Sequence, residues 1–320
     1  MEFFDSLEAV PGGFGPSAVT IGKFDGVHTG HRMVLARLAA VAAERGLVTA
    51  VVTFDRHPLS LLAPAFCPSP LVSNAQKREL LEDAGVDATL MLAFDQQLAD
   101  LEPEEFVRRV IVDALRARVV LAGSDFRFGR KGAGDVALLR LLGEASGFDV
   151  VLIDDVRAGE ERPGEPTERR ASSTWVREAL EAGRVAEGAR VLGRLPSVRS
   201  VVVAGERRGR ELGYPTANLD PVRLEGFLPA DGVYAAWATV DGVRYPAAVS
   251  IGNNPTFDGV PQHQAEAHLL DVELDLYGRT IELAFVDFVR GMEKFDSLDE
   301  LIAAIRRDAD EARRILAERG

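Results

Sequence analysis

The sequence predicts an α/β domain built on a parallel sheet, followed by a small antiparallel β-barrel with a terminal helix. Three observations carry this. Strand and helix signals alternate up to about residue 190. Beyond it the chain reads as strand-like runs joined by turn residues. The last twenty residues carry one apolar stripe at helical spacing. The expected domains are residues 1–185 and 190–320.

The elements follow in order. "SAVTIG" (17–22) is a short buried strand. "GHRMVLARLAAVAAERG" (30–46) places Met33, Val34, Leu38, Val41 and Ala42 at helical spacing and stops at Gly46. "LVTAVVTF" (47–54) is a β-branched strand. Further on, "EEFVRRVIVDALRA" is helical, "RVVLAGSDF" is strand then loop, "DVALLRLLGEASG" is helical, and "FDVVLID" is a strand. "DDVRAGEERPGEPTERR" (154–170) reads as a loop, and "SSTWVREALEAGRVAEG" as a helix closing this half. In the second half, Asp241-Gly242 marks a hairpin and Tyr277-Gly278-Arg279 another turn. Ser297 and Glu300 form a capping box ahead of Leu301, Ile302, Ile305, Ala309, Ala312 and Leu316.

Composition narrows the function. The chain has 320 residues and 47% apolar residues, enough for two cores. No apolar run approaches the ~20 residues of a membrane helix. "MEFFDSLEAV" lacks the basic and apolar regions of a secretory leader, and the single cysteine, Cys67, has no intrachain partner. Both make the cytoplasm the default. Fifty acidic against 37 basic residues give a charge of −13, which repels nucleic acid. Self-association stays open.

"GKFDGVHTGHR" (22–32) follows a strand and opens a helix, where free N–H groups and the positive dipole end favour an anion. Imidazoles at 28 and 31 lie on one side of that turn, placed to donate to phosphoryl oxygens, and Gly22, Gly26 and Gly30 let the backbone come close. Taken alone, H-x-x-H favours two surface histidines. Zinc fails on ligand count, since no third His or Cys lies near. Two basic clusters, "FRFGRKG" and "GERRGRELG", also sit in glycine-rich loops.

The wider string changes the reading. "GKFDGVHTGH" resembles the HxGH signature of nucleotidyltransferases, and more narrowly that of bacterial bifunctional riboflavin kinase/FAD synthetases. "TFDRHP" (53–58), with His57, "GSDFRFGRKGAG" (123–134) and "RRASSTWVREAL" (169–180) resemble the family's next motifs in order. "GRELGYPTANL" (209–219), "LPADGVYAA" (228–236), "SIGNNPTF" (250–257), "EAHLLDVELDLYGR" (266–279) and "VRGMEKFDSLDEL" (289–301) resemble its kinase module. The match departs at Arg56, Ala171, Ser200 and Tyr214.

The resemblance implies a Rossmann-like nucleotidyltransferase domain ahead of a riboflavin kinase-like barrel, ATP as co-substrate and Mg²⁺ as cofactor. In the first half FMN would attack the α-phosphorus of ATP. His28 and His31 would stabilise the phosphates, and Arg170, Ser173, Thr174 and Arg177 would gather pyrophosphate. Asp25 would brace the loop, while His57 and Asp125 would meet the nucleotide. The Ser173 and Thr174 hydroxyls fit equally as helix caps. In the second half riboflavin would attack the γ-phosphorus. No Walker A string exists, so Gly205, Gly209 and Gly213 are the candidate phosphate loop, and Thr216 and Asn218 supply oxygens for Mg²⁺.

Strand alternation puts Gln264, Glu266 and His268 on one face and Ala265, Ala267 and Leu269 on the other. Glu266 thus points away from the core and is the candidate base. His268 reads as structural. Asn254 and Arg290 are the flavin candidates, Arg290 fitting a surface ion pair as well. Two other readings compete: a relative with one module inactive or taking another flavin, and a flavin- or nucleotide-binding regulator without turnover.

Overall fold

The computed structural model describes residues 1–153, 169–204, 214–253, 263–272 and 274–319. They form two compact units, Met1–Ala171 and Ser172–Gly320. The division lies ahead of the 185–190 boundary expected from the change of pattern.

In the first unit, β1 (Glu2–Phe4), β2 (Ser17–Ile21), β3 (Val48–Phe54), β4 (Ala88–Leu92), β5 (Ala117–Gly123) and β6 (Asp149–Ile153) pair in parallel in the order β1-β4-β3-β2-β5-β6. Helices cover both faces, so the central strands are almost continuously apolar. On one face α1 (Thr29–Arg45) and α3 (Asn74–Asp83) set Leu35, Leu38, Val41 and Leu81 against Ala18, Val51 and Leu121. On the other, α5 (Pro103–Phe106), its π-helical continuation Val107–Ala114, and α6 (Val136–Ser146) set Phe106, Ile111 and Leu139 against Val19, Val52 and Leu90. The short α2 (Leu59–Leu62) and α4 (Gln96–Ala99) are single turns.

Met33, expected in the core, is 55% exposed, and Leu35 takes its place. The buried stripe of α1 runs through Leu35, Leu38, Val41 and Ala42, one face round from Met33. Short β1, β4 and α3 carry no strong pattern and are additions to the sequence reading.

The chain runs outward from β2 to β3 and β4, then returns to β5 on the opposite side of β2. The connections leave β2 and β5 in opposite directions. This opens a crevice at the carboxyl ends of those strands, the usual place for a ligand in such a sheet.

The second unit opens with α7 (Ser173–Glu181) and α8 (Val185–Leu192). The sequence reads these as one helix. Gly183, at φ +72°, breaks it, and the Arg184 N–H turns back to Ala179 O at 2.8 Å. Next come β7 (Ser197–Val203), β8 (Ala217–Leu219), β9 (Glu225–Gly226), β10 (Gly232–Val240), β11 (Val243–Asn253), β12 (His263–Leu269) and β13 (Thr280–Arg290). The order β13-β10-β11-β12-β8-β7 closes into a barrel through β7–β13 pairing, with β9 added to β7. Asp241 and Gly242, at φ +48° and +79°, make the expected hairpin turn. Gly278, at φ +73°, makes the other.

The terminal helix α9 (Leu298–Arg319) buries Ala309, Ala312, Ile315 and Leu316 against the barrel. Half of the capping box forms: the Glu300 N–H donates to Ser297 Oγ at 3.3 Å, while the Glu300 carboxylate accepts from the Asp296 N–H at 3.1 Å. Of the sequence departures, Ser200 is buried and its hydroxyl donates to Asp220 O at 2.8 Å, and Ala171 is buried in the first unit.

Candidate active sites

The loop between β2 and α1 lies in the crevice. Phe24, Gly26 and Val27 all have positive φ, at +49°, +78° and +39°. Two are not glycine, so the turn is strained, and it persists because Phe24 and Val27 are 2% and 0% exposed. The strain brings His28 to the cap of α1, where its Nδ1 accepts from the His31 N–H at 3.4 Å. That bond assigns the ring proton to Nε2. The two imidazoles stack, with centroids 3.7 Å apart. A Cβ on Gly30 would lie 3.0 Å from the His28 ring, so a larger residue there would push the imidazole aside by a few tenths of an ångström. Gly22 donates to Val52 O at 3.0 Å and packs close to Phe24.

Around this pair the basic groups gather. Burial holds the His31 pKa well below its ordinary value, and the adjacent His28 ring and the charges of Lys23, Arg170 and Lys77 press it further down. His31 is therefore neutral at neutral pH, and its Nδ1 is buried without a hydrogen-bond partner. Since the unfolded chain takes up that proton near pH 6.5, stability falls as pH drops below about 6.5. Calorimetry of wild type and His31→Gln checks this. The wild-type Tm should fall between about pH 7 and pH 5.5, and more steeply than the variant's.

A cleft of about 350 Å³ is lined by Lys23, Asp25, Asp55, Arg56, His57, Ser60, Lys77 and their neighbours; its lining does not include His28 or His31, and Lys23 and Lys77, whose charges act on His31, link it to them. Asp25 Oδ1 accepts from the Leu71 N–H at 2.9 Å, which braces the loop as expected. His57 Nδ1 accepts from the Leu59 N–H at 3.1 Å, and its Nε2 lies 3.4 Å from Lys23 Nζ. Asp125 pairs with Arg170 at 2.9 Å. The first unit thus brings together His28, His31, Asp25, His57, Asp125 and Arg170. Lys23, Asp55 and Lys77 join them without having been read from the sequence. The signal for Lys77 was available: it lies four residues before Leu81, on the buried face of α3.

Ser173, Thr174 and Arg177 are carried by the second unit. The cap of α7 is Ser172, whose Oγ accepts from the Trp175 N–H at 3.2 Å, so capping is not the task of Ser173 or Thr174. Arg177 is buried.

On the barrel, β12 alternates as expected: Ala265, Ala267 and Leu269 are buried, and Gln264, Glu266 and His268 are half-exposed. Glu266 stands directly opposite Asn218 of β8, a spacing of about 4.5–5.5 Å between Cβ atoms. His268 Nδ1 lies 2.9 Å from Pro215 O and the Tyr214 ring stands edge-on to its imidazole, so His268 holds the segment that carries Thr216. Thr216 and Asn218 offer a hydroxyl and an amide oxygen, the hard donors that suit Mg²⁺. Among the described residues no cluster of three His, Cys, Asp or Glu side chains could hold a metal.

Arg290 forms a two-pronged ion pair with Asp308 of α9, at 2.8 and 2.7 Å, and also donates to Gly291 O. Arg290 thus forms an ion pair, though a largely buried one and not the surface pair expected. Asp308 is an acid inside the apolar stripe, a position explained by this partner. Gly205, Gly209, Gly213 and Asn254 lie outside the described residues.

No described helix is long and apolar enough to cross a membrane. A chain from Streptococcus pneumoniae described as a macrolide-efflux protein shares the fold, with TM-score 0.84 and 30% identity over 97% of this chain and 98% of that one. A family model for FAD synthetase matches residues 14–164, and one for riboflavin kinase matches 192–316. The bifunctional riboflavin kinase/FMN adenylyltransferase of Escherichia coli strain K12 is 38% identical, over 92% of this chain and 91% of that protein. That of Pseudomonas fluorescens is 38% identical, over 93% and 92%. With both modules matched in order and relatives aligned over nearly their whole length, this chain belongs to the bifunctional riboflavin kinase/FMN adenylyltransferase family.

Proposed function

We propose that the chain performs the two steps its family is named for, one in each module. The observation that carries this is that each family model covers a region with its own candidate site: the His28–His31 crevice within 14–164, and the Glu266–Asn218 row within 192–316.

In the kinase step the primary hydroxyl oxygen of riboflavin attacks the γ-phosphorus of ATP, the bond to the bridging oxygen breaks, and FMN and ADP form. Glu266 takes the hydroxyl proton. Thr216 and Asn218 would hold Mg²⁺, which neutralises phosphate charge when bound. The family resemblance assigns Gly205, Gly209 and Gly213 to the phosphates and Asn254 and Arg290 to the flavin. For Arg290 the bond to Asp308 sets the position of the segment that follows it.

In the second step a phosphate oxygen of FMN attacks the α-phosphorus of ATP, and pyrophosphate leaves. No proton need move, so the protein supplies alignment and charge. His28 donates from Nε2. His31, kept neutral, adds a hydrogen-bonding ring without a competing charge. Gly22 and Asp25 shape the loop, His57, Asp125 and Arg170 line the nucleotide path, and Ser173, Thr174 and Arg177 gather pyrophosphate. Nucleic acid plays no part. Cytoplasmic placement is supported by the single free thiol, Cys67.

A time course of the purified protein with riboflavin, ATP and Mg²⁺ tests the reading. FMN should rise first and FAD follow; flavin that stays unconverted on prolonged incubation would contradict it.

A further inference from the structure

Lys77 is a charged side chain in a place that stability alone does not explain. It lies on α3 and is only 6% exposed, yet it lines the 350 Å³ cleft of the first unit. Its ammonium makes one hydrogen bond, to Phe54 O at 2.9 Å, where β3 ends. An ammonium has three protons to give. Asp25 and Asp55 are near enough to act on its charge, but no carboxylate of the described residues reaches ion-pair distance. Those carboxylates accept from other groups: Asp25 from the Leu71 N–H, Asp55 from the Phe94 N–H and Arg56. Burial pulls the Lys77 pKa down, so keeping the cation there is costly. A buried charge without a close counter-ion is better replaced by an apolar chain if stability is the only concern.

The surroundings indicate what the charge meets. Lys77, Lys23 and Arg170 all act on His31, so the lysine belongs to the field around the stacked histidines. It enters from a different element, α3, whose first turn also clamps the end of β3 through Asn74 Nδ2 to Asp55 O at 2.8 Å. Across from it, Thr53 Oγ1 donates to Lys23 O at 3.1 Å and ties the β2 and β3 exits together. Lys77 is thereby fixed relative to Lys23 and His57.

We propose that Lys77 is a substrate-binding residue of the adenylyl-transfer site, its ammonium at the cleft wall taking a phosphate oxygen of a bound nucleotide. This rests on the adenylyl-transfer reading of the first unit. The phosphate can belong to FMN or to ATP, and the two KM values separate them.

The test uses the full-length enzyme and four variants. Lys77→Gln keeps a donor and removes the charge, Lys77→Met removes both, Lys77→Arg keeps the charge, and His28→Ala is the control for the site. FAD formation from supplied FMN should fall about 10- to 100-fold in K77Q and K77M, the range carried by hydrogen bonds to a charged group. The loss should appear in the KM of one substrate, FMN or ATP, and identify the phosphate. K77R should recover most of it. The Tm of K77M should equal or exceed that of the wild type, and riboflavin phosphorylation should be unchanged.

If K77Q keeps wild-type kinetics, or if FAD formation falls only in step with a lowered Tm, Lys77 is structural and the proposal is overturned. Should K77M not fold, the K77Q and K77R pair decides by the same criteria. If His28→Ala keeps full FAD formation, the site reading fails instead, which distinguishes the two failures.

Discussion

Glu266→Gln should lower riboflavin phosphorylation by about 10²- to 10⁴-fold, the usual worth of a general base. FAD formation from supplied FMN should stay within about twofold, as for independent sites. Ala265 and Ala267 are buried at 1% and 0% exposure, so the barrel wall fixes the register of β12. A one-residue slip would bury Glu266. In the register observed, its carboxyl stands across from Asn218 on the half-exposed face. Glutamine has the same shape and cannot accept the proton, so the loss reads the base and not the fold. Initial rates with FMN and FAD separated by chromatography measure both arms. Equal loss in both half-reactions would place Glu266 in a shared structural role.

His28→Ala should show the reverse, with FAD formation reduced about 10²- to 10³-fold, the scale of one lost donor to developing phosphate charge. The kinase rate should hold. His28 also caps α1, so the alanine variant loses a cap worth about 1 kcal/mol. His28→Asn separates the two roles. Asparagine is a good N-cap and restores stability, but its short amide lacks the reach of Nε2. The expected result is a wild-type Tm with FAD formation still lost. If His28→Asn recovers activity along with stability, the imidazole serves only the helix.

Much of the architecture can be read from local pattern. Asp241-Gly242 specifies a turn that needs two left-handed residues, and α1 ends at Gly46 in the left-handed region. The alternation in β12 is visible because one face packs on the core. What escaped depends on long-range partners. β1 is three residues long and exists because it pairs with β4. Gly183, the poorest helix former after proline, is a local break signal that the apolar spacing on either side of it masks. Asp308 is legible only once Arg290 is known to reach it.

The candidate site divides in the same way. His28, His31 and Glu266 stand in strings dense enough to mark them. Lys77 stands at helical spacing from Leu81, a local mark of burial, but its meeting with Lys23 in one cleft is made by separate segments of the chain, which no short window contains. The strained Phe24 and Val27 conformations likewise leave no mark in residue type.

The central claim is that two chemically independent sites act in series within one chain. Mixing the Glu266→Gln and His28→Asn proteins tests it most directly. Neither alone should convert riboflavin to FAD with ATP and Mg²⁺, the first stalling at riboflavin and the second at FMN. Together they should restore FAD, as FMN made by one is taken up by the other. A mixture that still makes no FAD, although each variant keeps its own half-reaction, would contradict the account.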